Sequence, residues 1–232
     1  MSGSTISIPS HDGQPFDAYL SLPPTGKGPG LVLIQEIWGV NAHIRAVADQ
    51  YAMDGYVVLA PDVFWRQEPG TDLAYNEADT KKAYQLMNGL DGPNAVKDLV
   101  AAAQTLRARP EVIGKVGVAG FCMGGRLSYQ LAATGAVDTA VCYYGGGIHN
   151  ALEVAPKVQV PILFHYAALD AHIPPAAVDA VKAAFANHSN AQFHVYEGAD
   201  HGFNCWGRPM YNQRAAALAH GRTLEWLSKH LD

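Results

Sequence analysis

Residues 115–125 read Lys-Val-Gly-Val-Ala-Gly-Phe-Cys-Met-Gly-Gly. An apolar, strand-like run enters Gly120-x-Cys122-x-Gly124, and a helix-like stretch follows over 124–134. A strand that turns sharply into a helix projects its central residue from the end of a sheet, the pattern of a nucleophile elbow with Cys where Ser is usual. Glycines at 120 and 124 leave room where side chains would strike the neighbouring strand or helix. At the start of a helix, Cys122 meets the partial positive charge that favours a thiolate.

Working outward, short runs rich in Val, Ile and Leu recur at 30–35, 56–60, 115–120, 138–144 and 161–166. Such continuous runs suit strands covered on both faces. Residues 191–196 form a later strand, and Ile6–Ile8 with Phe16–Leu22, joined through Asp12-Gly13, read as a hairpin. Helical patterns occupy 42–54, 94–108, 124–134, 175–187 and 211–229. The alternation predicts an α/β fold, a mostly parallel central sheet with helices on both faces and its loops at the carboxyl ends of the strands. Residues 63–79 fit neither pattern and are expected to be a long loop able to line a pocket. No linker divides the chain, so 1–232 is expected to form one domain.

Composition narrows the function. A formal net charge of −5 over 232 residues gives no electrostatic case for nucleic acid or an anionic membrane. The polar start, Met-Ser-Gly-Ser-Thr, does not read as a signal peptide, and no apolar run reaches the ~20 residues of a membrane span. Cys122, Cys142 and Cys205 are far apart and form no CxxC pair, which argues for free thiols in a reducing, cytoplasmic setting. The ten histidines show no HExxH-like spacing, so no metal and no cofactor are expected. The partner expected is a small ester or lactone, the state a monomer or small homo-oligomer.

Catalytic partners follow in the order nucleophile, acid, histidine. Asp170 comes just after the 161–166 strand and His201 just after the 191–196 strand, both on the sheet edge that carries Cys122. His201 can take the thiol proton, and Asp170 can fix its tautomer and stabilise the imidazolium. Asp200 reads as a turn residue and His172 as a solvated loop residue. His149, His165 and His194 read as structural histidines. After the 30–35 strand comes Gln35-Glu36-Ile37-Trp38-Gly39, where this fold supplies one oxyanion-hole amide, the other following the nucleophile. That assigns the amides of Ile37 and Met123. Glu36, ending an apolar strand beside that hole, is expected to hydrogen-bond Cys122 and control its protonation.

Several stretches together resemble the dienelactone hydrolase (carboxymethylenebutenolidase) family. They are Gln-Glu-Ile-Trp-Gly-Val-Asn at 35–41, Gly-Tyr-Val-Val-Leu-Ala-Pro-Asp at 55–62, Arg-Gln-Glu-Pro-Gly at 66–70, Gly-Phe-Cys-Met-Gly-Gly at 120–125, Tyr-Tyr-Gly at 143–145 and Asp-His-Gly-Phe at 200–203. The resemblance spans essentially the whole chain. It implies an α/β-hydrolase fold, a triad of Cys122, His201 and Asp170, and a Glu36 that holds the resting thiol and then accepts its proton. It implies opening of an enol lactone, dienelactone to maleylacetate, in bacterial degradation of aromatic compounds. Tyr84 and Tyr144 match pocket tyrosines of the family, and Trp38 and Phe203 complete the expected substrate contacts. Well-studied members bind the substrate carboxylate with two arginines; those places fall near Thr80 and on Cys205 here, with Lys81, Lys82 and Arg208 the nearby cations. The expectation that follows is weak preference for anionic over neutral lactones.

A cysteine suits such a substrate on chemical grounds alone. A thiolate comes from an acid of pKa near ~8.5, an alkoxide from one comparable to water at ~15.7. With an alkyl ester the sulfur leaves first and the reaction reverts, whereas an enolate or phenolate departs competitively. Two other classes fit fewer of these residues. A thiol-based redox protein would want a resolving cysteine beside Cys122. A non-catalytic binding module would be expected to lack a triad member.

Overall fold

Each continuous apolar run becomes a strand of one eight-stranded sheet in the computed structural model, which describes residues 3–231. Met1 and Ser2 of the polar start, and Asp232, lie outside the described residues. The strands are β1 (Ser4–Pro9), β2 (Pro15–Ser21), β3 (Gly28–Ile34), β4 (Val57–Pro61), β5 (Val112–Phe121), β6 (Thr139–Tyr143), β7 (Ile162–Ala167) and β8 (Ala191–Tyr196), in the order β1-β2-β4-β3-β5-β6-β7-β8. The hairpin β1–β2 joins β4 antiparallel; every pair from β4 to β8 is parallel. β4, β6 and β7 are buried at every residue, as strands covered on both faces must be.

Among the described residues six α-helices cover the sheet: α1 (Ala42–Met53), α2 (Glu77–Asn88), α3 (Gly92–Arg107), α4 (Met123–Ala132), α5 (Pro175–Ala184) and α6 (Gln213–Leu231). α1 and α6 share one face, where Tyr51 and His220 approach to 5.0 Å between ring centroids. α3 and α4 pack together on the other. Asn41 caps α1 by accepting from the Ile44 amide at 3.2 Å. Trp226 of α6 donates to Thr139 of β6 at 2.8 Å, tying the last helix to the sheet. No helix among the described residues is long and apolar enough to cross a membrane.

The predicted strands and five predicted helices appear within a few residues of their expected bounds. The sixth, α2, does not follow from the pattern: 63–79 is loop only as far as Asn76, which caps the helix by accepting from Asp79 at 2.9 Å. α2 buries only Ala83 and Leu86, so it carries no apolar stripe to read. The loop before it is pinned rather than free. The Asp62 carboxylate accepts from the amides of Phe64 at 3.0 Å and Gly70 at 2.8 Å, and Arg66 bridges Asp98 and Asp12.

Topology then places the site. From β3 the chain moves one way to β4, then returns past β3 to β5 on the other side. The connections leave β3 and β5 in opposite directions, and a crevice opens at their carboxyl ends.

Candidate active site

β5 runs directly into the elbow. Cys122 has φ 56° and ψ −115°, a conformation that costs a non-glycine residue roughly 1–3 kcal/mol. Surrounding bonds hold it there: its amide donates to the Tyr143 carbonyl at 3.0 Å, and its carbonyl accepts from Gly125 at 3.0 Å. The two glycines are needed for space. A Cβ at 120 would lie 2.2 Å from the Gly124 carbonyl oxygen, and one at 124 would lie 2.4 Å from that of Ile34. These contacts are with backbone, which cannot swing away.

The loops after β7 and β8 bring the partners. His201 approaches Cys122 Sγ to 3.1 Å through Nε2 and donates from Nδ1 to Asp170 Oδ2 at 2.7 Å. The other Asp170 oxygen accepts from the amides of His172 at 2.8 Å and Ile173 at 3.2 Å, so the carboxylate is fixed before it meets the histidine. Burial alone would lower the His201 pKa, but the hydrogen bonds to Asp170 and Cys122 outweigh it and push it up to about 10. A histidine with that affinity can hold the thiol's proton. Asp200 bonds the His201 amide at 2.6 Å and serves as the turn residue the sequence suggests.

The residues after β3 complete the crevice. Neither the Ile37 nor the Met123 amide has a hydrogen-bond acceptor among the described residues, so both donors are open to an oxyanion. Glu36 departs from expectation. It is 1% exposed and does not hydrogen-bond Cys122, whose sulfur is turned to His201. Its carboxylate faces Arg208, with Nη1 3.6 Å from Oε1. Burial raises the Glu36 pKa, and the charges of Arg208 and His201 oppose that rise. Arg208 lies over the Trp38 ring, 4.6 Å from its centroid. Glu36, His43 and Cys205 also bring three ligand-type atoms within 4.8 Å of one another, a grouping their sequence spacing hides. That place already holds a cation: Arg208 is paired with Glu36, and with burial it lowers the His43 pKa to about 4.

A cleft of about 890 Å³, open mouth included, leads to Cys122. Ile37, Trp38, Tyr84, Met87, Met123, Arg126, His149, Asn150, His172, His201 and Arg208 are among its walls. Of the expected substrate contacts, Trp38 and Tyr84 line it; Tyr144 and Phe203 do not. Both are 0% exposed and lie behind the site, Tyr144 meeting the His201 ring edge-on at 5.2 Å and Phe203 edge-on at 5.2 Å. Tyr144 backs the histidine and Phe203 backs Tyr144, because the chain at each position turns the ring to the interior. His149 and His172, expected to be a structural and a solvated residue, are wall residues; the His172 ring meets His201 edge-on at 5.1 Å. Met87 is not legible in the sequence, because α2 shows no apolar stripe, and neither is Arg126, one turn into α4.

Comparison with known proteins gives the chain's family. The model of the "Dienelactone hydrolase family" matches residues 16–231. A carboxymethylenebutenolidase of Pseudomonas putida is 39% identical over 224 residues, covering 96% of this chain and 95% of its own. Carboxymethylenebutenolidase 1 of Cupriavidus pinatubonensis is 32% identical, with 96% and 95% covered. Among solved structures, one from Klebsiella pneumoniae superposes with a TM-score of 0.86 at 28% identity over 98% of both chains. A dienelactone hydrolase-like promiscuous phosphotriesterase from metagenomic libraries has the same fold, with a TM-score of 0.82 at 23% identity over 100% of both chains. The chain, built on an α/β-hydrolase sheet and matched along nearly its whole length, belongs to the dienelactone hydrolase family.

Proposed function

We propose that this protein is a cysteine-dependent carboxylic-ester hydrolase that opens an enol lactone or a small activated ester. The observation that carries the reading is the unbroken chain Cys122–His201–Asp170, with contacts of 3.1 and 2.7 Å. His201 Nε2 takes the thiol proton, and the sulfur adds to the substrate carbonyl carbon. Negative charge builds on the carbonyl oxygen, where the amides of Ile37 and Met123 meet it. Collapse breaks the acyl carbon–oxygen bond. The departing enolate or phenolate takes the proton from His201, and a thioester on Cys122 remains. His201 then removes a proton from water, the hydroxide adds to the thioester, and the sulfur leaves and recovers its proton. The names of the relatives, carboxymethylenebutenolidases, support an enol lactone as the substrate type.

A redox role has less support. Cys142 is free, buried within β6, and its thiol pKa is pushed well up by burial. Burial, joined by the Glu36 charge, pushes the Cys205 thiol up to about 12. Neither is poised as a resolving thiolate.

Acid quench during turnover of an aryl acetate tests the reading. Mass spectrometry should find one acetyl group, on the peptide containing Cys122 and labile to hydroxylamine. Turnover with no acyl adduct at any quench time would reject the thioester route.

Glu36 gives a second prediction. Its buried carboxylate faces Arg208 and feels the charge of the catalytic histidine, and we assign it control of the thiol's proton through that pair. Glu36→Gln should slow acylation on the order of 10²-fold, the range of a lost acid–base contribution. The pH profile of Cys122 alkylation by iodoacetamide should shift in the same protein. An unchanged profile with unchanged turnover would leave Glu36 without a catalytic part.

A further inference from the structure

Resting on the hydrolase reading above, we propose that Arg126 is a specificity residue: it binds an anionic group on the substrate at the wall of the cleft that leads to Cys122. The observation is one of charge placement. The chain carries a formal net charge of −5, yet among the described residues no Asp or Glu lines the cleft, while two arginines and three histidines do. A cleft lined by one sign of charge raises the local concentration of the opposite sign.

The two arginines are not equivalent. Arg208 faces the buried carboxylate of Glu36 at 3.6 Å and lies over the Trp38 ring, so it has an ion-pair partner in the protein, though its Nη1 makes no hydrogen bond among the described residues. Arg126 has no ion pair and no side-chain hydrogen bond among the described residues. It leaves α4 one turn after the elbow and lies against the Gly146–Gly147 loop. A Cβ on Gly147, which has φ 86°, would come within 3.2 Å of Arg126 Nη1. The glycine thus gives the guanidinium its space, and the loop holds it in the wall of the cleft. His149, also a lining residue of the cleft, has a buried Nδ1 with no hydrogen-bond partner among the described residues. An unpaired guanidinium in the wall of a cleft can recognise a carboxylate, which Arg binds through two parallel N–H donors.

This changes the expectation drawn from Thr80 and Cys205. Lys81 is exposed and outside the cleft wall, and Lys82 is paired with Glu68. The cation that restores anion selectivity comes instead from the nucleophile's own helix.

Two matched pairs of esters test the proposal. The 4-nitrophenyl half-ester of glutaric acid against 4-nitrophenyl valerate places the charge on the acyl arm. 4-Carboxyphenyl acetate against 4-carbamoylphenyl acetate places it on the leaving arm. The wild-type protein should prefer the anionic member of at least one pair by ~10-fold or more in kcat/KM, and Arg126→Gln should reduce that ratio by ~10-fold or more. Arg126→Lys should recover part of the ratio, since the charge returns without the fork. Added salt should shrink the wild-type ratio, because the group is only partly buried. A ratio below ~3-fold in both pairs, or one that Arg126→Gln leaves unchanged while both rates fall, would overturn the proposal. If no ester is turned over, the hydrolase reading fails separately. The subsite is then read from protection of Cys122 against iodoacetamide by benzoate relative to benzamide. Protection that is specific to benzoate and lost in Arg126→Gln supports it; equal protection in the two proteins rejects it.

Discussion

Replacing Cys122 with alanine is expected to lower kcat/KM for an aryl acetate by about 10⁴-fold or more and to leave the fold intact. Activity is lost because the sulfur is the atom proposed to form the acyl bond, and the other group on that path, His201 Nε2, lies 3.1 Å from it. What remains is the oxyanion hole acting on attack by bulk water. The fold survives because the elbow's conformation is imposed by its surroundings: the Tyr143 carbonyl, the Gly125 amide and the glycines at 120 and 124 all stay in place. Alanine meets the same backbone strain as cysteine at φ 56°, so the strain term cancels between the two proteins. The sulfur borders an open cleft, so its removal leaves no sealed cavity. The thermal midpoint should therefore stay within about 4 °C of wild type, a change of no more than ~1 kcal/mol for a chain of this size. Steady-state rates on p-nitrophenyl acetate beside a thermal melt would check both halves. Turnover above one-tenth of wild type would take the nucleophile's role from Cys122. A collapsed melt would show that the sulfur also packs the elbow.

The fold and the site differ in how much of each can be read from residues alone. Parallel strands buried on both faces leave continuous apolar runs, so β3 to β7 are visible as composition. The elbow is visible because Gly120-x-Cys122-x-Gly124 is one continuous stretch: a Cβ at 120 would lie 2.2 Å from the Gly124 carbonyl oxygen, although the demand at 124 comes from Ile34 of the distant β3. Asp170 and His201 are visible because each follows a strand at the edge where loops gather. What escapes is whatever depends on elements distant in sequence. α2 hides because only two of its residues are buried. Tyr144 and Phe203 sit in motif positions next to functional residues, yet their rings point to the interior. The pairing of Glu36 with Arg208 joins the end of β3 to the loop before α6, and nothing local in either segment announces it. Arg126 reads as an ordinary helix residue until the Gly146–Gly147 loop is folded against it. Charge compensation is a property of a surface assembled from several loops, and it becomes legible only with the loops in place.

Asp170→Asn isolates the electrostatic part of the triad from its geometry. The side chain is 0% exposed and makes three hydrogen bonds. Asparagine can keep two of them, because its carbonyl oxygen can still accept from the amides of His172 and Ile173. The third must invert. Asp170 Oδ2 now accepts from His201 Nδ1–H at 2.7 Å; an amide nitrogen in that place can only donate. His201 then carries its proton on Nε2, pointing at Cys122, and can no longer take one from the thiol. The positive charge that His201 acquires during acylation also loses its counter-charge. The same substitution in serine triads lowers kcat by roughly 10⁴-fold with little structural change, and a loss of about that size is expected here. A thiol ionises more easily than a hydroxyl, so raising the pH should return part of the acylation rate, a recovery a serine enzyme would show only weakly. Because Asp170 also holds the His201 pKa up, the variant's His201 should titrate well below the wild-type value of about 10, readable by NMR of the imidazole protons. An asparagine variant within tenfold of wild-type turnover, with the histidine's titration unmoved, would mean that Asp170 only positions the ring and that its charge takes no part in the chemistry.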